Sequence, residues 1–318
     1  PKGTTVSPAQ QQPRIAVIYN PAKLDDLARV RGQVEDLCTR HGCDSVTWYP
    51  TSVEDPGVGQ ARQSLKEGAT VVCALGGDGT VRSVASVLAG TDVALGLLPG
   101  GTGNLLARNL GVPTDDLPAA LRTVLDGAER RIDVGLVAWD DGPEQVFLVM
   151  AGVGADASMM EHADERVKSA VGWPAYLISG VRALFDPGFS VRVATGGRVV
   201  SRRRARTLLI GNCGDLPGGV RLLPDARIDD GRLDAVVLAP QGVLGWLAVL
   251  REVVLARGHR DGQAIRRLRA DRFAVTLRHS VPAQLDGDPA GRATAIQARV
   301  RPDALRVRVP ASETGAAA

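Results

Sequence analysis

Gly76-Gly77-Asp78-Gly79-Thr80-Val81 combines the residue types of a phosphate-binding turn with a carboxylate. It follows the apolar run Val71-Val72-Cys73-Ala74-Leu75 and precedes a helical pattern over 81–89. Glycines let backbone N–H groups approach an anion, and a helix N-terminus adds partial positive charge. Asp78 would repel bare phosphates, so its place in the turn suits a divalent cation or a water shell lying between. The structural alternative is a tight strand-to-helix turn whose aspartate caps the helix.

A second turn repeats the design. Ala94-Leu95-Gly96-Leu97-Leu98 reads as a buried strand, Pro99-Gly100-Gly101-Thr102-Gly103-Asn104 as the turn, and 105–110 as the next helix. Thr102 is suited to cap that helix or to donate to a phosphate oxygen. Asn20-Pro21-Ala22-Lys23 follows a third strand, and Lys23 is one of four lysines in the chain. Strand–turn–helix units in series place all three turns at one end of a parallel sheet, where open α/β folds bind ligands.

Two further acidic stretches stand apart. Leu223-Pro224-Asp225-Ala226-Arg227-Ile228-Asp229-Asp230-Gly231-Arg232-Leu233-Asp234 has oxygen density for a hard cation, or is a hairpin loop with Asp-Gly turn chemistry. Leu285-Asp286-Gly287-Asp288-Pro289 reads in isolation as an Asp-Gly hairpin turn. Gly152-Val153-Gly154-Ala155-Asp156-Ala157 has dinucleotide-type spacing, but no βαβ unit follows it, and it is expected to be a structural turn.

The elements that must position these groups change character near 133–140. Before that point strands at 15–19 and 45–49 alternate with helices at 24–40 and 58–67, which argues a doubly wound parallel sheet. After it come strand-like stretches at 145–150, 190–195, 206–212, 233–238 and 273–277, which argue a mostly antiparallel unit. Apolar helical patterns at 171–185 and 243–255, with Trp173, Tyr176, Leu177, Trp246, Leu247 and Leu250, either cover a sheet or shelter acyl chains.

Composition narrows the class. In 318 residues, 44% are hydrophobic and 3% aromatic, so leucine, valine and alanine must fill the cores of roughly two domains. The four cysteines have neither zinc nor disulfide spacing, so a reducing compartment is expected. No apolar run reaches the ~20 residues of a membrane span. Net charge is +3, but Arg202-Arg203-Arg204 with Arg206, and Arg266-Arg267 with Arg269, form dense clusters. They fit either solvated faces or an anionic membrane surface. Too few aromatics are present for base-stacking platforms, so no nucleic-acid partner is expected.

The motifs at Asn20-Pro21, Gly76–80 and Pro99–104, in this order and spacing, resemble the diacylglycerol kinase catalytic domain, from about Arg14 to about Val309. The resemblance implies an α/β ATP-binding domain over 14–135 completed by 303–310, a β-sandwich lipid-substrate domain over 136–302, and a cleft between them. A leader over 1–13 and a tail over 311–318 would flank them. It implies ATP at Asn20, Pro21, Lys23, Gly76, Gly77, Asp78, Gly79, Thr80, Gly101, Thr102 and Asn104, with Thr51 beside it. Asp133 and Lys168 would lie in the phosphate and Mg2+ region, and Asp78 would act on the phosphates through the cation. A structural magnesium would take the Asp230 carboxylate and the carbonyls of Arg227 and Arg232. Where the family commonly has Asp-Gly-Glu, this chain has Asp286-Gly287-Asp288. Asp288 is the first candidate for the base that deprotonates a lipid hydroxyl, and Asp286 the second. Diacylglycerol is the expected acceptor, met peripherally at the inner face of the cell membrane by a cytoplasmic protein, with a homodimer left open. An NAD-kinase-like soluble acceptor and a non-catalytic binding module are the alternatives.

Overall fold

A computed structural model of the chain describes residues 12–101, 103–154, 188–216, 220–242, 245–246, 249 and 264–311. β1 (Arg14–Tyr19), β2 (Ser45–Pro50), β3 (Val71–Gly76) and β4 (Ala94–Pro99) run parallel in the order β2-β1-β3-β4. β3 is buried throughout and β1 and β4 nearly so, which is why they read as unbroken apolar runs. The helices are α1 (Leu27–Arg40), α2 (Val58–Lys66), α3 (Asp78–Leu88), the short α4 (Leu105–Asn109) and α5 (Leu117–Asp126). α1 packs with α5, and α2 with α3. Strand order reverses between β1 and β3, so the crevice beyond their carboxyl ends is the switch point of the sheet.

Two helix starts differ from expectation. α1 begins at Leu27 rather than 24, because Pro21–Lys23 forms a 3-10 turn capped by Asn20, and Asp26 then caps α1 through the Arg29 N–H at 2.9 Å. α3 begins at Asp78 rather than 81. Asp78, Gly79 and Thr80 therefore form the first helical turn, where unpaired N–H groups face outward.

The second part is antiparallel: β5 (Ala128–Trp139), β6 (Gln145–Phe147), β7 (Met150–Gly154), β8 (Phe189–Thr195), β9 (Arg198–Ala205), β10 (Thr207–Gly211), the short pair β11 (Asp215–Leu216) and β12 (Val220–Arg221), β13 (Leu233–Leu238), β14 (Ile265–Ala270), β15 (Arg272–Leu285) and β16 (Asp288–Val309). Its core gathers Phe147, Phe189, Val191, Phe273, Val275 and Ile296, all buried. The single strand expected over 145–150 is two strands. Leu148, Val149 and Met150 turn their N–H groups toward the Asp286 carboxylate, which interrupts the ladder. Gly152 and Gly154 belong to β7 and not to a turn. The expected helix at 171–185 lies outside the described residues, as does most of that at 243–255.

β16 joins the two parts. Its first half pairs with β15, while Val307 lies parallel to Leu95 of β4. β5 runs antiparallel beside it from Ala128 opposite Val309 to Trp139 opposite Ile296, with an irregularity between Arg301 and Leu305.

Candidate active site

The two glycine turns are pressed together. A Cβ on Gly100 would lie 2.8 Å from the Gly76 nitrogen, and one on Gly101 2.8 Å from the Gly77 Cα, so only glycine fits there. Asn104 locks the second turn. It is buried, takes the left-handed region at φ 47°, and its Nδ2 donates to the Gly101 carbonyl at 2.8 Å. On the near side, the Asn20 N–H donates to the Leu75 carbonyl at 3.1 Å, and the Asn20 Oδ1 accepts from Ala22 N–H at 3.0 Å. The Thr51 N–H bonds the Tyr19 carbonyl at 2.9 Å, which sets Thr51 at the same sheet edge. Lys23, Pro99, Gly100, Gly101, Thr114, Asp115 and Leu117 line a hollow of about 400 Å³ there. The structure thus brings Asn20, Pro21, Lys23, Thr51, Gly76, Gly77, Gly79, Gly101 and Asn104 to one edge. Thr80 is buried beneath Gly76 rather than facing outward. Thr102 and Lys168 lie outside the described residues.

Asp78 is a helix cap, but for the other helix: its Oδ1 accepts the Leu105 N–H at 2.6 Å at the start of α4. Burial pushes its carboxyl up to about 6. The Leu105 N–H and Arg82 oppose that, and the charges of Asp286 and Asp288 add to it. Across the boundary between the two parts, Asp288 Oδ2 sits 3.2 Å from where a Cβ on Gly79 would be. Arg82 holds it there: Nη2 donates to Asp288 at 2.9 Å and Nη1 to the Leu285 carbonyl at 2.9 Å, with Asp286 Oδ2 at 4.0 Å. Arg82 was not singled out from the sequence. It lies one helical turn after Asp78, on the same face of α3, and that spacing was the available signal.

Asp286 and Asp288 separate into different roles. Asp286 is 3% exposed, and its carboxylate accepts from the N–H groups of Leu148, Val149 and Met150 at 3.0, 2.8 and 2.9 Å. With φ 48° at Asp286 and 88° at Gly287, the pair forms a two-residue turn between β15 and β16. Asp286 is therefore an anchor whose carboxylate is held by backbone N–H groups, and Asp288 is the better placed of the two to meet a substrate. The Asp288 side chain is 48% exposed. Asp288→Asn should abolish activity while costing about 0.2–1 kcal/mol of stability, the worth of its part-exposed ion pair with Arg82. Asp286→Ala strands three N–H groups at about 1–3 kcal/mol each and should melt the fold in urea titrations. Equal stability losses in the two variants would contradict this division.

The acidic residues of two other expected sites bond within the protein. Asp133 was expected near the phosphates, but its carboxylate is taken by the N–H groups of Gly231 at 2.6 Å and Asp303 at 2.9 Å, so it braces the β16 irregularity. Burial raises its carboxyl, with those two N–H groups opposing. The loop expected to hold magnesium through Arg227, Asp230 and Arg232 also meets arginine side chains. Asp230 pairs with Arg269 and accepts from the Arg232 N–H at 3.0 Å, and Asp229 pairs with Arg130 at 2.5 Å. Among the described residues no three acidic, histidine or cysteine side chains form a metal cage, and a site of one carboxylate and two backbone carbonyls would not be of that kind. The glycine-turn site does fit a cation shared with a ligand. Two carboxylates, Asp78 and Asp288, lie at the N–H-rich turns against one Arg82, a negative excess that phosphates would not share unaided.

The sequence profile of the diacylglycerol kinase catalytic domain matches residues 14–137, and that of the YegS C-terminal NAD kinase beta sandwich-like domain matches 148–309. A Pseudomonas aeruginosa protein described as "Probable lipid kinase YegS-like" is 36% identical over 279 residues, 84% of each chain. A Bacillus subtilis diacylglycerol kinase is 28% identical over 284 residues, 87% of this chain and 90% of that one. A Bacillus anthracis diacylglycerol kinase structure shares the fold with TM-score 0.69 at 19% identity, over 94% of this chain and 97% of that one. So does a yeast NADH kinase, with TM-score 0.53 at 11% identity, over 96% and 85%.

Proposed function

Because the chain belongs to the diacylglycerol kinase catalytic domain family, among the YegS-like lipid kinases, we propose that it transfers the γ-phosphoryl group of ATP to the hydroxyl of diacylglycerol, giving phosphatidic acid. The observation that carries this reading is the seating of Asp288, a carboxylate from the second part, against Gly79 in the phosphate turn of the first. A base fixed beside a γ-phosphate site is what in-line attack by an alcohol requires.

The chain's residues divide the work. N–H groups at the start of α3 and along Gly100-Gly101 receive phosphate oxygens, and Lys23 supplies a positive charge at the mouth of the hollow. Asp288 takes the proton of the lipid hydroxyl, and Arg82 keeps it in place. Magnesium, when bound with the nucleotide, supplies charge neutralisation at the phosphates, and Asp78 is the residue that would hold it, directly or through water. No described helix is long and apolar enough to cross a membrane. In this reading the protein is cytoplasmic and meets its substrate by settling transiently on the inner face of the membrane.

The test is incubation with γ-labelled ATP and Mg2+ on diacylglycerol, sphingoid bases, glycolipids and isoprenoid alcohols in neutral mixed micelles, with NAD in a parallel aqueous reaction. Label in phosphatidic acid is the expected result. Label in another lipid would overturn the acceptor and keep the lipid-kinase reading. Label in NAD alone would replace that reading with a soluble-acceptor kinase.

A further inference from the structure

We propose that the outer face of the β9–β8–β15 sheet is the surface on which this protein docks to an anionic lipid bilayer. The proposal rests on the lipid-kinase reading and says which side of the molecule meets the substrate's phase.

Between residues 188 and 209 the chain carries six arginines and no aspartate or glutamate. The whole chain is only +3, so the remainder is net negative and the molecule is polarised. Strand register collects the charge on one face. Phe189, Val191 and Val193 point into the sandwich core, while Ser190 and Arg192 point out. Arg192 stands directly opposite Arg202 on β9 and opposite Thr276 on β15, and Ser190 stands opposite Arg204. Arg192, Arg202, Arg204 and Arg278 are all exposed.

Like charges directly across a strand pair destabilise it. Several arginines elsewhere in this part are matched, among them Arg130 with Asp229, Arg269 with Asp230 and Arg299 with Glu144. Arg192, Arg198, Arg202 and Arg278 have no ion pair among the described residues. The face is also all-strand, a broad surface that suits headgroups better than the groove of a duplex. At the end of the hairpin, Gly196 and Gly197 make a tight turn with φ 55° and 76°, and Val199 beside it is 43% exposed, one of two exposed large hydrophobic residues among those described. A basic rung next to an exposed apolar side chain is the pattern of interfacial binding. β15 and β16 carry this rung and the Asp288 turn on one pair of strands, about 23 Å apart along β16 at ~3.3 Å per residue. Holding this face on a surface thus also fixes the orientation of the Asp288 turn relative to it.

Flotation with phosphatidylcholine vesicles, with and without phosphatidylglycerol, tests the surface. The wild-type protein should float only with the anionic vesicles and lose binding as salt rises. Arg192→Gln/Arg202→Gln should weaken partition about 25-fold, at roughly fivefold per arginine, and Arg192→Glu/Arg202→Glu should abolish it. Both variants should keep wild-type kinase rates in neutral micelles and a wild-type melting temperature. Undiminished flotation of the folded glutamate variant would overturn the docking surface, as would equal wild-type binding to neutral vesicles, or binding of an RNA oligonucleotide in place of vesicles. The micelle rate reports separately on the lipid-kinase reading, which would fail only if the wild-type protein phosphorylated no lipid there.

Discussion

Replacing Asp78 with asparagine is expected to abolish phosphoryl transfer and, in the same protein, to raise the stability of the ligand-free form at neutral pH. The amide keeps an oxygen for the Leu105 N–H, so the cap on α4 survives. The charge that a phosphate-bound cation needs is lost. The stability gain follows from linkage. Burial lifts the Asp78 carboxyl from 3.8 to about 6 in the folded chain, above its unfolded value, so ionising it costs folding free energy. That cost is absent below about pH 4, grows as pH rises to 6, and reaches about 3 kcal/mol at ~1.4 kcal/mol per unit. The variant should therefore melt higher than wild type near pH 7, measured in chelator without nucleotide, and the gap should close as pH falls through that window. Wild-type turnover in the variant would remove Asp78 from the chemistry. A gap independent of pH would remove the buried charge as its cause.

Arg82→Ala should damage both stability and rate. The guanidinium ties Asp288, the Leu285 carbonyl and the neighbourhood of the buried Asp286 to α3, and it opposes the upward push that burial exerts on the Asp286 carboxyl. Removing one partner of such a buried arrangement costs about 3–5 kcal/mol. A base displaced by about an ångström costs about a hundredfold in kcat. Arg82→Lys should recover more of the stability than of the rate, because an ammonium restores charge near Asp286 without the two-pronged geometry that aims Asp288. Urea midpoints and kcat measured on the three proteins check this. A fully active Arg82→Ala enzyme would show that Asp288 needs no such brace.

The phosphate side of the site was legible because its signals are local. Unbroken apolar runs mark β1, β3 and β4, and glycines crowd the turns after two of them, so their edge could be found from short windows. The base side was half legible. An Asp-Gly dipeptide announces a two-residue hairpin turn, but which carboxylate is free depends on N–H groups at Leu148, Val149 and Met150, far off in sequence. The same distance hid the outcome at the acidic loop. Asp229 and Asp230 are adjacent and conspicuous, while their partners Arg130 and Arg269 come from other strands. Carboxylate density shows that positive charge must arrive, and the fold adds that arginines from distant strands bring some of it. The partners of Asp133 were hidden for a related reason: a buried acid in a strand marks a demand for donors, and backbone groups at Gly231 and Asp303 supply two of them.

The path of β16 has a consequence for how the protein is made. The strand that lies beside β4 in the nucleotide-binding part leaves the ribosome after every other described strand of the sandwich. Throughout synthesis β4 must wait with an open hydrogen-bonding edge, a template for mispairing with neighbouring chains. The part translated first is thus completed last, and a chain halted before Leu305 would carry every phosphate-turn residue yet leave that edge bare.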